Sequence, residues 1–138
     1  MIVTETKIRI YYQDTDQMGV VYYGNYARYY EIGRTEMIRD LGFTYKQMEE
    51  LGIMLPARSL KINYLKSAYY DDLLTVRTIV DTIPKVRFPI KTEIYNHKGE
   101  LINSGEVVLV FFSAITNKPI GAPKFFIEEM SKYFGKDL

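Results

Sequence analysis

The chain has no cysteine, no tryptophan and only one histidine among its 138 residues. Without cysteine there can be no disulfides, thiolate metal ligands or cysteine nucleophile. The single histidine, His97, falls in YNHKGE, a stretch that reads as a hairpin turn. A Ser–His–acid arrangement needs its histidine in a cleft, and a turn tip is a poor place for one. No HxxxH or CxxC spacing suggests zinc or iron, and neither GxGxxG nor GxxxxGKS/T is present. Excess charge of one sign is missing too: 18 Lys and Arg against 17 Asp and Glu leave a formal net charge of +1. That balance gives no electrostatic case for nucleic acid or an anionic membrane surface as partner. No window approaches the ~18 consecutive apolar residues of a membrane span. The N-terminus, MIVTETKIRIYY, lacks the basic-then-apolar order of a secretory signal. The expectation is a reduced, cytoplasmic location, with no metal, no membrane span and no nucleic acid.

What is abundant is tyrosine, 13 residues. Tyrosine serves as the large residue of half-buried strands, and it also lines pockets and interfaces, offering area with a polar tip. The remaining composition, 47% hydrophobic and 25% charged, is that of an ordinary globular protein. The length suits one domain, residues 1–138.

Periodicity sets the order of elements. TKIRIYYQ alternates Ile8, Ile10 and Tyr12 against Lys7, Arg9 and Tyr11, the period of a half-buried strand. Residues 14–24 read as loop. Asn25 is placed to cap a helix running to about Leu41, with Tyr26, Tyr29, Tyr30, Gly33, Met37 and Leu41 on one face and Gly42 as its stop. Thr44 would cap a second short helix, TYKQMEEL. After Pro56 come four strands: one alternating Leu60, Ile62 and Tyr64 with Ser59, Lys61 and Asn63, then LLTVRTIVDTI, VRFPIKTEIYNH and LINSGEVVLVFFSAIT. The segment 107–112 is apolar on both faces, which predicts cover on both sides, a second subunit being the leading source. An amphipathic helix, PKFFIEEMSKYFG, closes the chain. The economical solution is α+β: one antiparallel sheet of about five strands wrapped around a long central helix, with a C-terminal helix.

The reactive equipment concentrates in YYQDTDQMGVVYYGNY, residues 11–26. Asp14 and Asp16 in such a loop can simply cap turns. A carboxylate with an ordinary pKa near ~4 is also ionised at neutral pH, ready to act as base or nucleophile. The following helix N-terminus supplies unpaired N–H groups and partial positive charge, a ready oxyanion hole. Gly19 and Gly24 would let backbone approach a substrate closely. A thiol leaves with a pKa near ~8.5, so a thioester needs little further help, whereas an amide would.

These residues carry a resemblance. Y-x-D-T-D-x-x-G-V-V-Y-Y-x-N-Y, followed by Tyr30, Glu31 and Arg34, closely resembles the 4-hydroxybenzoyl-CoA thioesterase family of hotdog-fold enzymes, including the branch found beside the Tol–Pal envelope system. NYLKSAYYDDLLTV extends the similarity, which covers nearly the whole chain. The resemblance implies hydrolysis of acyl-CoA thioesters to free acid and CoA, with CoA as part of the substrate and no cofactor. It implies that Asp16 is the catalytic carboxylate, that the Tyr23 backbone N–H polarises the carbonyl, and that Asp14 orders the loop. Tyr23 stands where many Tol–Pal-associated relatives carry histidine, so the role carried over is the backbone one. Glu31 is the second catalytic candidate, because other hotdog thioesterases use a helical glutamate. A buried Glu31–Arg34 pair would be structural. Gly19, Tyr22, Asn25 and Tyr26 match the family's substrate-contacting loop and helix start, Asn25 and Tyr26 equally suiting cap and core roles. Lys85 and Arg87 would face the phosphates of CoA, with Lys61 and Lys66 as weaker candidates. The family further implies a homodimer or homotetramer with active sites between subunits.

Three other readings stand beside this one. A non-catalytic acyl-CoA or acyl-carrier-protein binder could share the fold with Asp16 as a structural residue. A hotdog dehydratase would require an H-x-x-x-x-G-x-x-P-G pattern that is absent. Sheet-based RNA binding is suggested only by tyrosines beside Lys and Arg, without a ribonucleoprotein signature.

Overall fold

The structure, a computed structural model, describes residues 1–135. Strand β1 (Ile2–Arg9) leads through a short 3-10 turn (Tyr12–Asp14), a loop and a second 3-10 turn (Tyr23–Asn25) into helix α1 (Tyr26–Asp40). Helix α2 (Tyr45–Glu50) and the short β2 (Ile53–Met54) precede four long strands: β3 (Ala57–Tyr64), β4 (Leu73–Val80), β5 (Arg87–Tyr95) and β6 (Leu101–Val110). A small β7 (Phe112–Ser113), β8 (Lys118–Pro119) and helix α3 (Lys124–Phe134) complete the chain. The long strands form one antiparallel sheet in the order β1-β4-β5-β6-β3, and β2, β7 and β8 form a second, three-stranded one. A long antiparallel sheet with its principal helix packed on one face is the arrangement expected of the hotdog fold.

Alternation decides which face of the sheet turns inward. Leu74, Val76, Thr78 and Val80 of β4 and Phe88, Ile90, Thr92 and Ile94 of β5 are all buried. Helix α1 answers with Tyr26, Tyr29, Tyr30, Gly33, Met37 and Ile38, the stripe expected from 3-and-4 spacing. Each such large side chain removed from water contributes about 1.5–3 kcal/mol. Two close approaches depend on glycine. A Cβ on Gly33 would sit 2.6 Å from Thr78 Oγ1, and one on Gly105 would sit 2.2 Å from the Lys61 carbonyl.

Three expectations need correction. The first strand begins at Ile2, because Ile2 and Thr4 continue the inward row of Ile8 and Ile10. Tyr12, expected in that row, is instead 72% exposed and stacks on Tyr70 with ring centroids 3.7 Å apart, because the chain turns away after Ile10. Asn25 does not cap α1 with its side chain: its backbone is already helical, and Nδ2 donates to the Asp14 carbonyl at 2.8 Å. Segment 107–112 buries Val107, Leu109 and Phe111 and leaves Val108, Val110 and Phe112 half-buried within one chain, so its second apolar face is partly covered. By contrast, Gly42 adopts φ +96° just past α1, and Thr44 makes the expected capping box on α2.

Helix α1 packs chiefly on β1, β4 and β5, away from β3. Strand β3 is therefore an edge with one long side unpaired, and its residues are exposed on both faces except for half-buried Ile62. Leu60, Tyr64 and the following Leu65 are about half exposed there.

Candidate active site

Asp14 organises the loop between β1 and α1. Its carboxylate is buried, accepting from Arg28 Nη2 at 2.7 Å and from the Tyr11 N–H at 2.9 Å. Its carbonyl accepts the Tyr22 N–H and Asn25 Nδ2 at 2.9 and 2.8 Å. One residue thus fastens the entry, the exit and the helix to each other.

Asp16 sits on the far side of that clamp and is exposed. Its backbone bonds to Val20 and Gly19, and Oδ1 accepts the Met18 N–H at 2.8 Å, an Asx turn that fixes the carboxylate's direction. Gly19 makes that turn with φ +78°. Among the described residues no hydrogen bond engages Oδ2.

The carboxylate faces a cleft of about 280 Å³ lined by Val20, Val21, Tyr23, Tyr26, Tyr64 and Leu65, with Lys66 and Ser67 at its edge. The 3-10 turn Tyr23–Asn25 runs directly into α1, so the helical backbone effectively opens at Tyr23. The N–H groups of Tyr23 and Gly24 find no backbone acceptor among the described residues, as the first donors of a helix must. Tyr64 Oη donates to the Tyr23 carbonyl at 3.2 Å, tying the end of β3 to the helix start. The tyrosine rings form a chain: Tyr22–Tyr23 at 4.7 Å, Tyr23–Tyr64 at 6.3 Å, Tyr64–Tyr26 and Tyr26–Tyr29 each at 5.6 Å. Burial pushes the Tyr26 hydroxyl up to about 12, so it remains a neutral donor in the physiological range.

Of the expected residues, Asp16, Tyr23, Tyr26 and the weaker candidate Lys66 line this cleft; Gly19, Tyr22 and Asn25 belong to the same loop and helix start without lining it. Glu31 lies further along α1 on a separate cleft of about 330 Å³, shared with Arg34, Tyr45, Glu49, Ile53, Met54, Leu55 and Pro56. The buried Glu31–Arg34 ion pair is not formed: Glu31 is exposed, and the two are not within ion-pair distance. Arg34 instead reaches toward Tyr45. The Tyr45 hydroxyl is raised by burial, with the guanidinium opposing that rise, yet its oxygen has no hydrogen-bond partner in place. Lys85 and Arg87 are exposed at the start of β5, level with Val110, whereas the cleft lies level with Ile94 and Asn103. Seven residues of strand, about 23 Å, separate those levels within one chain. Lys66 is nearer and pairs with Glu100. Sequence reasoning passed over Tyr64 as a strand residue; only the fold reveals that this strand end meets the helix start. Among the described residues no cluster of three or more His, Cys, Asp and Glu side chains could hold a metal, and no helix is long and apolar enough to cross a membrane.

Residues 11–130 match the sequence profile of the thioesterase-like superfamily. A putative acyl-CoA thioesterase of Bacillus subtilis, YneP, is 39% identical over 101 residues, covering 73% of either chain. The acyl-CoA thioester hydrolase YbgC of Escherichia coli is 30% identical over 125 residues, 91% of this chain and 93% of its own. Among solved structures, a DHNA-CoA thioesterase from Staphylococcus aureus superposes with a TM-score of 0.90 at 40% identity, covering 96% of this chain and 91% of that one.

Proposed function

The chain belongs to the thioesterase-like superfamily, and from that premise we propose that it hydrolyses acyl-CoA to free acid and CoA at the Asp16 cleft. The observation that carries the reading is an ionisable carboxylate, fixed by an Asx turn, facing a cleft beside the unpartnered first N–H groups of a helix. The thioester carbonyl would accept from Tyr23 and Gly24, where the helix dipole stabilises developing negative charge. Asp16 would then either attack the carbonyl carbon or take a proton from a water that does so. In the first route the C–S bond breaks, CoA leaves as thiolate, and water hydrolyses the resulting mixed anhydride. In the second, the tetrahedral adduct of water collapses and expels the same thiolate. Single-turnover reaction in heavy-oxygen water separates the two, since an anhydride opened at the aspartyl carbon leaves label in the protein. Glu31 lies on a separate cleft within its own chain and stays as the second catalytic candidate, to which equal turnover by Asp16→Asn would shift the role.

The active form in this proposal is a homodimer joined along the free edge of β3. That edge has unpaired backbone and half-exposed Leu60, Tyr64 and Leu65, features that a second copy would cover. A two-fold axis at mid-strand, between Leu60 and Lys61, sets the Tyr64 end of one β3 beside the Ala57 end of the other. The partner's Lys85 and Arg87, level with that Ala57 end, then stand on the cleft's side for the phosphates of CoA.

Thiol release from a panel of short, long and aromatic acyl-CoAs, native against Asp16→Asn, tests the proposal. Expected is a fall in turnover of about 100-fold or more with substrate still bound. Equal turnover by the two proteins would remove Asp16 from the chemistry. Binding without turnover by the native protein would favour an acyl-CoA or carrier-protein binder.

A further inference from the structure

The hydrolytic reading leaves the sheet's outer face, the side turned away from α1, without a role. There Glu5, Lys7, Leu73, Thr75, Arg77 and Tyr95 line a cavity of about 570 Å³, larger than either cleft already described. Alternation turns these side chains outward, because Leu74, Val76 and Ile94 between them are buried inward. Register sets them in two rows across β1, β4 and β5: Lys7, Thr75 and Tyr95, and beside them Glu5, Arg77 and Glu93. The hairpin between β5 and β6 closes one end with His97 and Gly99. Asn96 Oδ1 accepts the Lys98 and Glu100 N–H groups at 3.0 Å each, which fixes that wall.

The two cations of this cavity are not spent on their neighbours. Lys7 Nζ donates to the Thr75 hydroxyl at 2.5 Å, which leaves two of its three N–H groups. Arg77 stands between Glu5 and Glu93 in register, yet among the described residues it forms no ion pair with either. Glu93 accepts the Tyr95 hydroxyl instead, at 3.1 Å. That hydroxyl is raised by burial, with the adjacent guanidinium opposing the rise. Arg77 Nε is closed to solvent, so the terminal nitrogens are the donors it offers the cavity. At pH 7, with His97 neutral, Lys7 and Arg77 face Glu5 alone in the lining, an excess of one positive charge. A carboxylate neutralises that excess and matches the guanidinium fork, whereas a doubly charged phosphate overshoots it. Leu73 and the Tyr95 ring offer apolar surface to the rest of such a molecule, and the volume is that of a small-molecule site. We propose that the outer-face cavity is a second ligand site, separate from the Asp16 cleft, which takes a small organic acid with an apolar body and holds its carboxylate on Arg77 and Lys7. Free acids are what the proposed hydrolysis releases, but binding here needs no turnover.

Titration calorimetry of the native protein with hexanoate and benzoate, against acetate and inorganic phosphate, tests the site. At least one of the larger acids is expected to bind with a Kd of about 1 mM or below, and more tightly than acetate or phosphate. Arg77→Met should weaken that binding by about tenfold or more, the loss of a charge-assisted hydrogen bond. Lys7→Met, at an exposed position where folding is not at stake, should weaken it in the same direction. Glu5→Gln should strengthen it, because a repelling charge is removed; a substitution that merely disturbed the sheet would weaken it. Asp16→Asn should leave it unchanged. Acid binding that follows Asp16 and ignores Arg77 and Lys7 assigns the ligand to the hydrolytic cleft and overturns the second site. Phosphate binding as tightly as both acids overturns the choice of a carboxylate. No saturable binding of either acid up to about 10 mM overturns the inference outright. None of these arms measures turnover, so that failure leaves the thioesterase reading untouched.

Discussion

Asp14 and Asp16 are separated by one residue and differ in nearly everything that matters. Asp14 is buried and satisfied on both oxygens, whereas Asp16 is exposed with Oδ2 free. The sequence motif shows two acids and no more; burial, which only the folded loop determines, assigns them different work. Asp14→Asn must turn an amide N–H toward one of two donors, Arg28 or the Tyr11 N–H. It should cost roughly 1–3 kcal/mol in chemical unfolding, the lower end being favoured because Arg28 is half exposed and screened. Its effect on turnover should be smaller than that of Asp16→Asn. The buried tyrosines make a pH prediction. Tyr26 is raised to about 12 by burial, and Tyr29 and Tyr30 are raised further for the same cause. A folded-state pKa above the unfolded value of about 10 means the unfolded chain loses its protons first, so stability is full below pH ~10 and declines above it. Melting midpoints measured from pH 8 to 12 should be level and then fall; a midpoint that rises across pH 10–12 would contradict it.

Helix α1 was legible from its 3-and-4 spacing, and its stop at Gly42 from chemistry that only glycine supplies at φ +96°. Its start at Tyr26, just after Asn25, was legible too, but the side-chain cap was not, because the Asn25 amide is spent on the Asp14 carbonyl. Gly33 shows the same competition between local preference and packing. Alanine there should gain about 1 kcal/mol in helix propensity. The added Cβ would instead meet Thr78 Oγ1 at 2.6 Å and Val76 Cγ1 at 2.8 Å, and such overpacking typically costs 1–3 kcal/mol. Packing is expected to win, so Gly33→Ala should lower the melting midpoint by a few degrees in calorimetry. The strands were readable from period 2 alone, yet which one lies at an edge depends on pairing between residues far apart. That is why Tyr64, distant in sequence from the DTD motif, escaped notice as part of the site.

At the scale of the molecule, the sheet offers one edge, β3, that is exposed on both faces and backed by no helix. Leu60→Asp places a charge at the middle of that edge. It should shift the protein toward monomer in sedimentation and lower turnover in parallel; monomer with undiminished turnover would separate the site from the edge. The two-sided apolar segment 107–112 was, with the tyrosine abundance, the sequence's internal hint of assembly, and half-burial of Val108, Val110 and Phe112 leaves that hint standing without deciding the partner's position. Finally, the file of tyrosine rings from Tyr22 through Tyr23, Tyr64 and Tyr26 to Tyr29, each within 6.3 Å of the next, has an optical meaning. With no tryptophan to drain their excitation, these rings can pass it among themselves by resonance, and one quencher seated in the cleft darkens several of them at once. The protein carries its own unlabelled reporter of occupancy, built from the same side chains that shape the site.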